Sequence, residues 1–309
     1  MTTSRTIIAC AAMLWVTAAD AIGQSAARPA ATTAKTNAAA GPWTGARTPD
    51  GQPDVEGVWD AEVSGSFSLV TPMAGGGRFN LLATGKELPK NPSRIIDPPD
   101  GRVPYQPWAA ALQQPQEKDI DHPTRPWHID TQNRCLPHGV TRGFYTTSAR
   151  IQQYPGVVAL FFQQYQYYRI IRLDAPHLGP TAKLWMGDPV GRWEGNTLVV
   201  DVTNLNGKSR LSMVGDFYSE NARIVERFTF ADDKTLKYTA TFDDPTVYTR
   251  PWTLGIDLKR VADDEFWEFA CHEGERGDQH DLWPAEDGTY GDKPKTPIPG
   301  GSTQPGGGR

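Results

Sequence analysis

The chain has 309 residues, with 31 lysines and arginines against 36 aspartates and glutamates, a formal net charge of -5 and an isoelectric point near 5.7. No basic stripe runs through the sequence, which argues against nucleic-acid binding. No apolar run beyond the N-terminal region is long enough to cross a bilayer, so we expect no integral membrane segment.

Residues 1–21 have the pattern of a secretory signal peptide. Arg5 provides the positive start, a short apolar stretch follows, and Ala19-Asp20-Ala21 fits a small-x-small cleavage site. A lipoprotein signal ending at Cys10 is the alternative. The pattern predicts a periplasmic or extracellular protein.

Composition divides the rest of the chain into three parts. Residues 22–47 are rich in Ala, Thr, Pro and Gly and predict a flexible linker. Residues 48–287 are long enough for a single domain with a sizeable core. Residues 288–309 are rich in Gly and Pro and predict a disordered tail.

An irregular, proline-rich segment covers residues 72–134, and a short helix around 108–114 is the only helix that we predict. Long irregular stretches within a domain often cover a functional site. The alternative is an extended arm that wraps the domain. Within this segment, His128 and Asp130 are two residues apart, so on an extended backbone they would share a face and form an oriented acid–base pair. A polar loop contact is the alternative for that pair.

Cys135 and Cys271 are the two cysteines left after export, and we expect them to form a disulfide. The bond would bring His138, His272 and Glu273 within about 10 Å of one another. These residues are our candidates for acid–base catalysis. A divalent metal site is a less favoured alternative, because the spacing matches no standard zinc pattern. A further alternative is that these residues only form the solvated rim of a loop held by the disulfide.

Alternation with a period of two dominates the second half of the chain. In residues 235–242 the apolar positions fall on one face, as in a half-buried strand. We predict further strands at 181–186, 197–203, 223–231, 247–258 and 265–272, and two strands within 149–173 joined at Pro155-Gly156. Hairpin signals also occur at Glu194-Gly195-Asn196 and Asp232-Asp233-Lys234. Short strands at this spacing predict a mainly antiparallel all-β barrel, with a β-sandwich as the alternative.

Two groups of residues are candidates for substrate binding. The first is the aromatic run around Tyr165, Tyr167, Tyr168 and Arg169, whose mixed faces suit a wet cavity, although surface pairing between strands is equally compatible. The second group lies on predicted inward faces, where a charge needs a partner. It predicts a Glu226–Arg250 pair, with Trp252 beside it, serving either as a structural ion pair or as a site for a polar substrate group.

Six stretches of the sequence share one resemblance. They are Thr48-Pro49-Asp50-Gly51-Gln52-Pro53-Asp54-Val55-Glu56-Gly57-Val58-Trp59, Arg134-Cys135-Leu136-Pro137-His138-Gly139, Gly191-Arg192-Trp193-Glu194-Gly195-Asn196-Thr197-Leu198-Val199-Val200-Asp201, Glu226-Arg227-Phe228, Asp243-Asp244-Pro245 and Thr249-Arg250-Pro251-Trp252. Together they resemble a large family of secreted bacterial proteins of uncharacterised activity. The resemblance covers most of residues 48–275. It implies export and a β-rich domain, and it supplies no catalytic residues. Asn196 stands where the family pattern has Asp, and either residue suits the turn.

A second resemblance concerns Gly57-Val58-Trp59, which is similar to the Gly-x-Trp at the base of lipocalin-like barrels. We therefore expect a lipocalin-like barrel. The function that we expect is cofactor-free acid–base chemistry, as in a lyase, isomerase or hydrolase, on a small aromatic or glycan-derived molecule. The alternative is a non-catalytic carrier or sensor for such a molecule, and a structural envelope protein is less favoured. The sequence does not indicate an oligomeric state.

Overall fold

A sheet of ten strands makes up most of the described chain. The computed structural model describes residues 43–62, 65–72, 93–118, 124–164, 167–263, 266–269, 271, 289–290 and 293–294. The strands are β1 (Gly57–Ala61), β2 (Ile95–Asp97), β3 (Ala149–Tyr154), β4 (Val157–Phe162), β5 (Tyr168–Leu173), β6 (Asp188–Glu194), β7 (Thr197–Thr203), β8 (Arg223–Phe230), β9 (Thr235–Asp243) and β10 (Trp252–Val261). A separate two-stranded sheet pairs β11 (Thr289–Tyr290) with β12 (Lys293–Pro294).

The described residues contain one α-helix, α1 (Pro107–Lys118), and three short 3-10 helices. The 3-10 helices are Pro126–His128, Gln132–Arg134 and Arg142–Tyr145. Helix α1 confirms the predicted helix and extends it at both ends. Pro107 suits the first helical position, because its fixed φ matches the helix and its missing N–H is not needed there. No helix within the described ranges is both long and apolar enough to cross a membrane.

Nine of the described strands close into a barrel in the order β1-β3-β4-β5-β6-β7-β8-β9-β10, because β10 pairs back onto β1. Strand β2 adds to β10. Among the described strands the pairings are antiparallel except at β5–β6, where Arg172 lies opposite Val190 and Leu173 opposite Gly191. The all-β barrel is therefore confirmed over the β-sandwich, with one parallel pair.

The alternating pattern of β9 explains which of its side chains point into the core. Leu236, Tyr238, Ala240 and Phe242 are all buried on one face, as the alternation predicts. The predicted hairpins at Pro155-Gly156, Glu194-Gly195-Asn196 and Asp232-Asp233-Lys234 connect β3 to β4, β6 to β7 and β8 to β9. Strand β7 has the predicted bounds.

Aromatic rings fill the core. Phe144 lies 4.7 Å from Tyr238 and 5.4 Å from Phe228, measured between ring centroids. Trp252 is fully buried and stacks on Phe242 at 4.4 Å with an interplanar angle of 8°. Packing of this kind is typical of a dry protein core rather than a ligand cavity.

Four strand predictions were wrong in part. Residues 149–173 contain three strands, β3, β4 and β5, rather than the predicted two. Residues 181–186 form only an isolated parallel bridge between Leu184 and Leu205, and the strand begins at Asp188, after Gly187 turns the chain with φ +66°. The strand predicted from residue 247 begins at Trp252, because Pro251 cannot donate to the ladder and restricts the residue before it. Of the predicted strand 265–272, the described residues 266–269 are not in a strand.

The described residues cover only part of the organisation that we predict for the two ends of the chain. The predicted signal peptide lies outside the described residues, as do most of the predicted linker and tail. Trp43, within the predicted linker, packs edge-on against Phe230 at 6.5 Å. In the proline-rich segment the described residues include β2 and α1, so that segment is not uniformly irregular.

Candidate functional site

The disulfide between Cys135 and Cys271 brings three segments of the chain together. The Cα atoms of Cys135 and Cys271 are 5.9 Å apart. Cys135 follows the 3-10 helix Gln132–Arg134, and the Tyr167 hydroxyl donates to the Cys135 carbonyl oxygen at 2.6 Å. Tyr167 belongs to the connection between β4 and β5, so one short contact ties that connection to the disulfide. The predicted disulfide is confirmed.

A cleft of about 280 Å³ opens between the β4–β5 region and the segment that leads to Cys271. It is lined by five aromatic residues, one amide and one carboxylate: Phe161, Phe162, Tyr167, Phe266, Trp267, Gln163 and Glu268. Trp267 is 70% exposed, more than any other large hydrophobic residue in the described chain. Phe162 reaches into the core, where its ring lies 5.0 Å from Phe144. The floor of the cleft is thus held by the barrel, and its outer wall offers open ring surface.

His138 lies behind this cleft rather than on a solvated rim. Its side chain is buried, and its ring centroid is 6.1 Å from that of Tyr167. Burial, together with the positive charge of Arg142, lowers the pKa of His138 well below its ordinary value of 6.5. The imidazole is therefore neutral at neutral pH.

The predicted pairing of His128 with Asp130 is wrong. Residues 126–128 form a 3-10 helix rather than an extended strand, and the His128 Nδ1 atom contacts the Thr124 hydroxyl at 3.3 Å. Asp130 instead accepts two hydrogen bonds from Arg142, each of 2.9 Å. Because both members of this ion pair are buried, Asp130 has a structural partner that fixes it.

The predicted pairing of Glu226 with Arg250 is also wrong. Glu226 is fully buried, as predicted, but its partner is Arg169, whose two terminal nitrogens donate to the two carboxylate oxygens. The Arg250 side chain is 49% exposed and pairs with Asp97 at 2.6 Å. Arg250 lies outside β10, and the ladder places Ala240 opposite Glu226 and Leu254 opposite Ala240, so Arg250 is beyond reach.

A tyrosine completes the interior ion pair. The Tyr238 hydroxyl donates to Glu226 Oε1 at 2.7 Å, and burial with the nearby carboxylate raises the pKa of Tyr238 well above its ordinary value of 10.0. Burial alone would lower the pKa of Arg169, but the charge and hydrogen bonds of Glu226 raise it. Arg169 also donates to the Val140 carbonyl oxygen at 3.2 Å. This network holds charged groups inside a filled barrel.

The other predicted site residues separate by location. Tyr168 is 63% exposed and its ring is 6.5 Å from that of Phe161 on the outer surface. Trp252 is a core residue. Tyr165, His272 and Glu273 lie outside the described residues. Arg169 lies in β5 and Tyr167 precedes that strand, because β4 ends at Phe162 and β5 begins at Tyr168.

Sequence reasoning missed the outer wall of the cleft. Phe266, Trp267 and Glu268 occur just before Cys271, and we interpreted this stretch as part of a strand. The available signal was the combination of neighbouring aromatic residues with a cysteine expected to bridge to Cys135. Among the described residues no group of three or more His, Cys, Asp or Glu is placed to hold a metal ion.

No protein-family model, curated protein or solved structure matches this chain. The geometry of the cleft and of the groups around it is therefore what indicates a function.

Proposed function

We propose that this protein is an extracytoplasmic binding protein for a small molecule that carries a ring, either aromatic or glycan-derived, and that the cleft beside the disulfide is its site. The observation that supports this proposal is the exposed ring of Trp267 above a floor of further aromatic side chains. Large exposed aromatic surface of this kind marks binding sites. The volume of about 280 Å³ is just below the usual range for ligand sites, roughly 300–1,000 Å³, and suits a ligand of one or two rings.

Two bonds support a cleft that is formed before the ligand arrives. The disulfide bonds Cys271, which follows the outer wall in the sequence, to Cys135. Tyr167, in the inner wall, donates a hydrogen bond to the same Cys135. A site held in its bound shape avoids part of the ordering cost of association.

The location outside the cytoplasm is supported by the disulfide and by the N-terminal pattern. The motif resemblance to secreted bacterial proteins supports the same location. The lipocalin-like assignment of the barrel remains part of this proposal, on the basis of Gly57-Val58-Trp59.

Isothermal titration calorimetry against a panel of monosaccharides and single-ring aromatic compounds tests the binding proposal. A member of the panel should bind the wild type, and Trp267→Ala should weaken that binding by about 2- to 13-fold, since stacking on one aromatic ring contributes about 0.5–1.5 kcal/mol. The matched control is Tyr154→Ala, because Tyr154, the last residue of β3, is a comparably exposed aromatic residue. Equal affinity of the Trp267 variant and the wild type would contradict the proposal.

A second candidate is an enzyme with acid–base chemistry at the same cleft. The observation that favours it is the neutral imidazole of His138 beside Tyr167, a residue of the cleft wall. A neutral imidazole is a competent general base. On a true substrate, His138→Asn should reduce turnover by about 10²–10⁴-fold while binding persists. The binding-protein proposal instead predicts no turnover by the wild type.

A further inference from the structure

The residues around the cleft carry a charge pattern that bears on the class of ligand. Glu268 provides a carboxylate at the cleft, and it has no ion-pair partner among the described residues. The seven described lining residues include no lysine, arginine or histidine. The cleft therefore combines negative charge with aromatic faces, which are themselves negative.

One ring of the cleft already holds a cation on its surface. The guanidinium carbon of Arg150 lies 5.3 Å from the ring centroid of Phe266. Asp263 balances that charge, with its carboxylate 3.8 Å from Arg150 and its carbonyl oxygen accepting at 3.1 Å. Because Arg150 is balanced in this way, the carboxylate of Glu268 leaves the cleft with net negative charge.

The polar groups of the cleft fit a cation better than a neutral sugar. A sugar presents many hydroxyl groups, and each buried one needs a hydrogen-bond partner. The side chains that could serve are Gln163, Glu268 and Tyr167, and the Tyr167 hydroxyl already donates to Cys135. An organic cation with methyl groups on its nitrogen needs no directed hydrogen bonds, and aromatic faces attract it directly.

We infer that the cleft binds a small organic cation of the quaternary ammonium type, with the methylated nitrogen against the exposed ring of Trp267 and its charge facing Glu268. This inference rests on the proposed binding function and adds to its ring-bearing ligand one charged group, a quaternary ammonium, for which choline is the probe. The net charge of -5 for the whole chain is consistent with a cationic ligand.

The test compares two probes of nearly the same shape, choline and its uncharged analogue 3,3-dimethylbutan-1-ol, by isothermal titration calorimetry of the mature protein. The buffer contains 0.15 M NaCl so that general attraction of cations to an acidic protein is screened, at a Debye length of about 8 Å. Choline should bind about 2- to 30-fold more tightly than the alcohol, the range expected for a cation over aromatic faces.

Two variants then assign the effect to the cleft. Glu268→Gln should weaken binding of choline and leave binding of the alcohol unchanged, whereas Glu220→Gln, at a carboxylate that pairs with Lys183 elsewhere on the surface, should change neither. Trp267→Ala should weaken choline binding, and the same affinity in that variant would place the site elsewhere and overturn the inference.

The outcomes separate this inference from the proposed function. Equal affinity for choline and the alcohol overturns the inference and leaves the binding function standing. Binding of a neutral sugar or aromatic compound, with no heat from choline, has the same meaning. If no probe binds and no panel compound binds, both fail.

Discussion

Glu226 and Glu268 are both carboxylates beside aromatic rings, but the protein surrounds them differently. Glu226 lies inside the barrel, where Arg169 and Tyr238 take up both of its oxygens. Glu268 lies at an open cleft beside Trp267. Both regions combine a carboxylate with aromatic rings. They differ in whether neighbouring groups already pair with the carboxylate and cover the ring faces.

That difference separates a structural role from a binding role. A buried charge with a full set of partners contributes to a unique core and has nothing left for a ligand. An exposed carboxylate and an exposed ring contribute little to folding and are accessible to other molecules. The interior should therefore govern stability and the cleft should govern binding, and four predictions test this division.

The largest effect on stability should come from Glu226→Ala, which leaves the buried Arg169 guanidinium without its counter-charge. We expect a loss of about 3–5 kcal/mol in the free energy of unfolding, measured by urea denaturation. The control is Glu220→Ala at the surface, which should change stability by about 0.5 kcal/mol or less.

A double variant, Glu226→Leu with Arg169→Met, identifies the cause of that loss. It should recover part of the lost stability, because replacing both partners by apolar residues removes the uncompensated charge, while the buried Tyr238 hydroxyl still lacks the carboxylate to which it donated. If the double variant is as unstable as the single one, the ion pair is not the reason for the loss.

Loss of the disulfide should be the second largest effect and the one that connects the two regions. The bond spans 136 residues of sequence, and Cys271→Ser should cost roughly 2–5 kcal/mol in unfolding free energy. Since the bond also fixes the outer wall, the same variant should weaken ligand binding. Thermal melts with and without reductant measure the first effect, and the Cys271→Ser variant itself should be insensitive to reductant. A wild type that melts at the same temperature under both conditions contradicts the prediction.

The buried imidazole of His138 should give a pH dependence that a surface histidine lacks. Its pKa is lowered in the folded state, so as pH falls below about 6.5 the unfolded state binds a proton that the folded state excludes. Stability should therefore decrease from pH 7 to pH 5, by at most about 1.4 kcal/mol per pH unit from this group.

His138→Asn should flatten that slope in urea unfolding curves recorded at several pH values. His177→Asn serves as the control, because His177 is on the surface between Asp188 and Asp201, and this variant should retain the slope due to His138. Parallel curves for the wild type and the His138 variant would show that burial of this imidazole does not set the dependence.

The smallest effect on stability should come from Trp267, even though its removal should disrupt binding. Trp267→Ala should change the unfolding free energy by about 0.5 kcal/mol or less, since the side chain is mostly exposed. Trp252→Ala, at the buried tryptophan that stacks on Phe242, should cost about 3–5 kcal/mol. Comparable losses from the two substitutions would mean that the cleft is part of the core.

The sequence predicted the elements whose pattern is local. Strands β7 and β9 follow from the alternation of buried and exposed residues, and the three hairpins follow from their Pro-Gly, Gly-Asn and Asp-Asp signals. The disulfide followed from the two cysteines that remain when the predicted signal peptide, which contains Cys10, is set aside. These features depend on neighbours in the sequence or on simple counting.

The partner of a buried charge cannot be predicted from local patterns in the same way. The inward position of Glu226 was predictable from its strand, but two arginines were available to it, and only the register and closure of the barrel select Arg169. The break between β4 and β5 had no sequence signal that we recognised. The outer wall of the cleft had only a partial signal, the aromatic residues before Cys271, because its position depends on where the disulfide fixes the chain.

The parallel pairing of β5 with β6 has a consequence for the closed ring of nine described strands. Around any closed ring of strands the direction must return to its starting sense, so the number of antiparallel neighbours is even, and an odd number of strands requires at least one parallel pair. A parallel neighbour cannot be reached by a tight hairpin. The stretch from residue 174 to 187 must therefore carry the chain back along the length of the barrel before β6 begins. The odd strand count thus requires a parallel pair, and the stretch 174–187 is the connection that provides it.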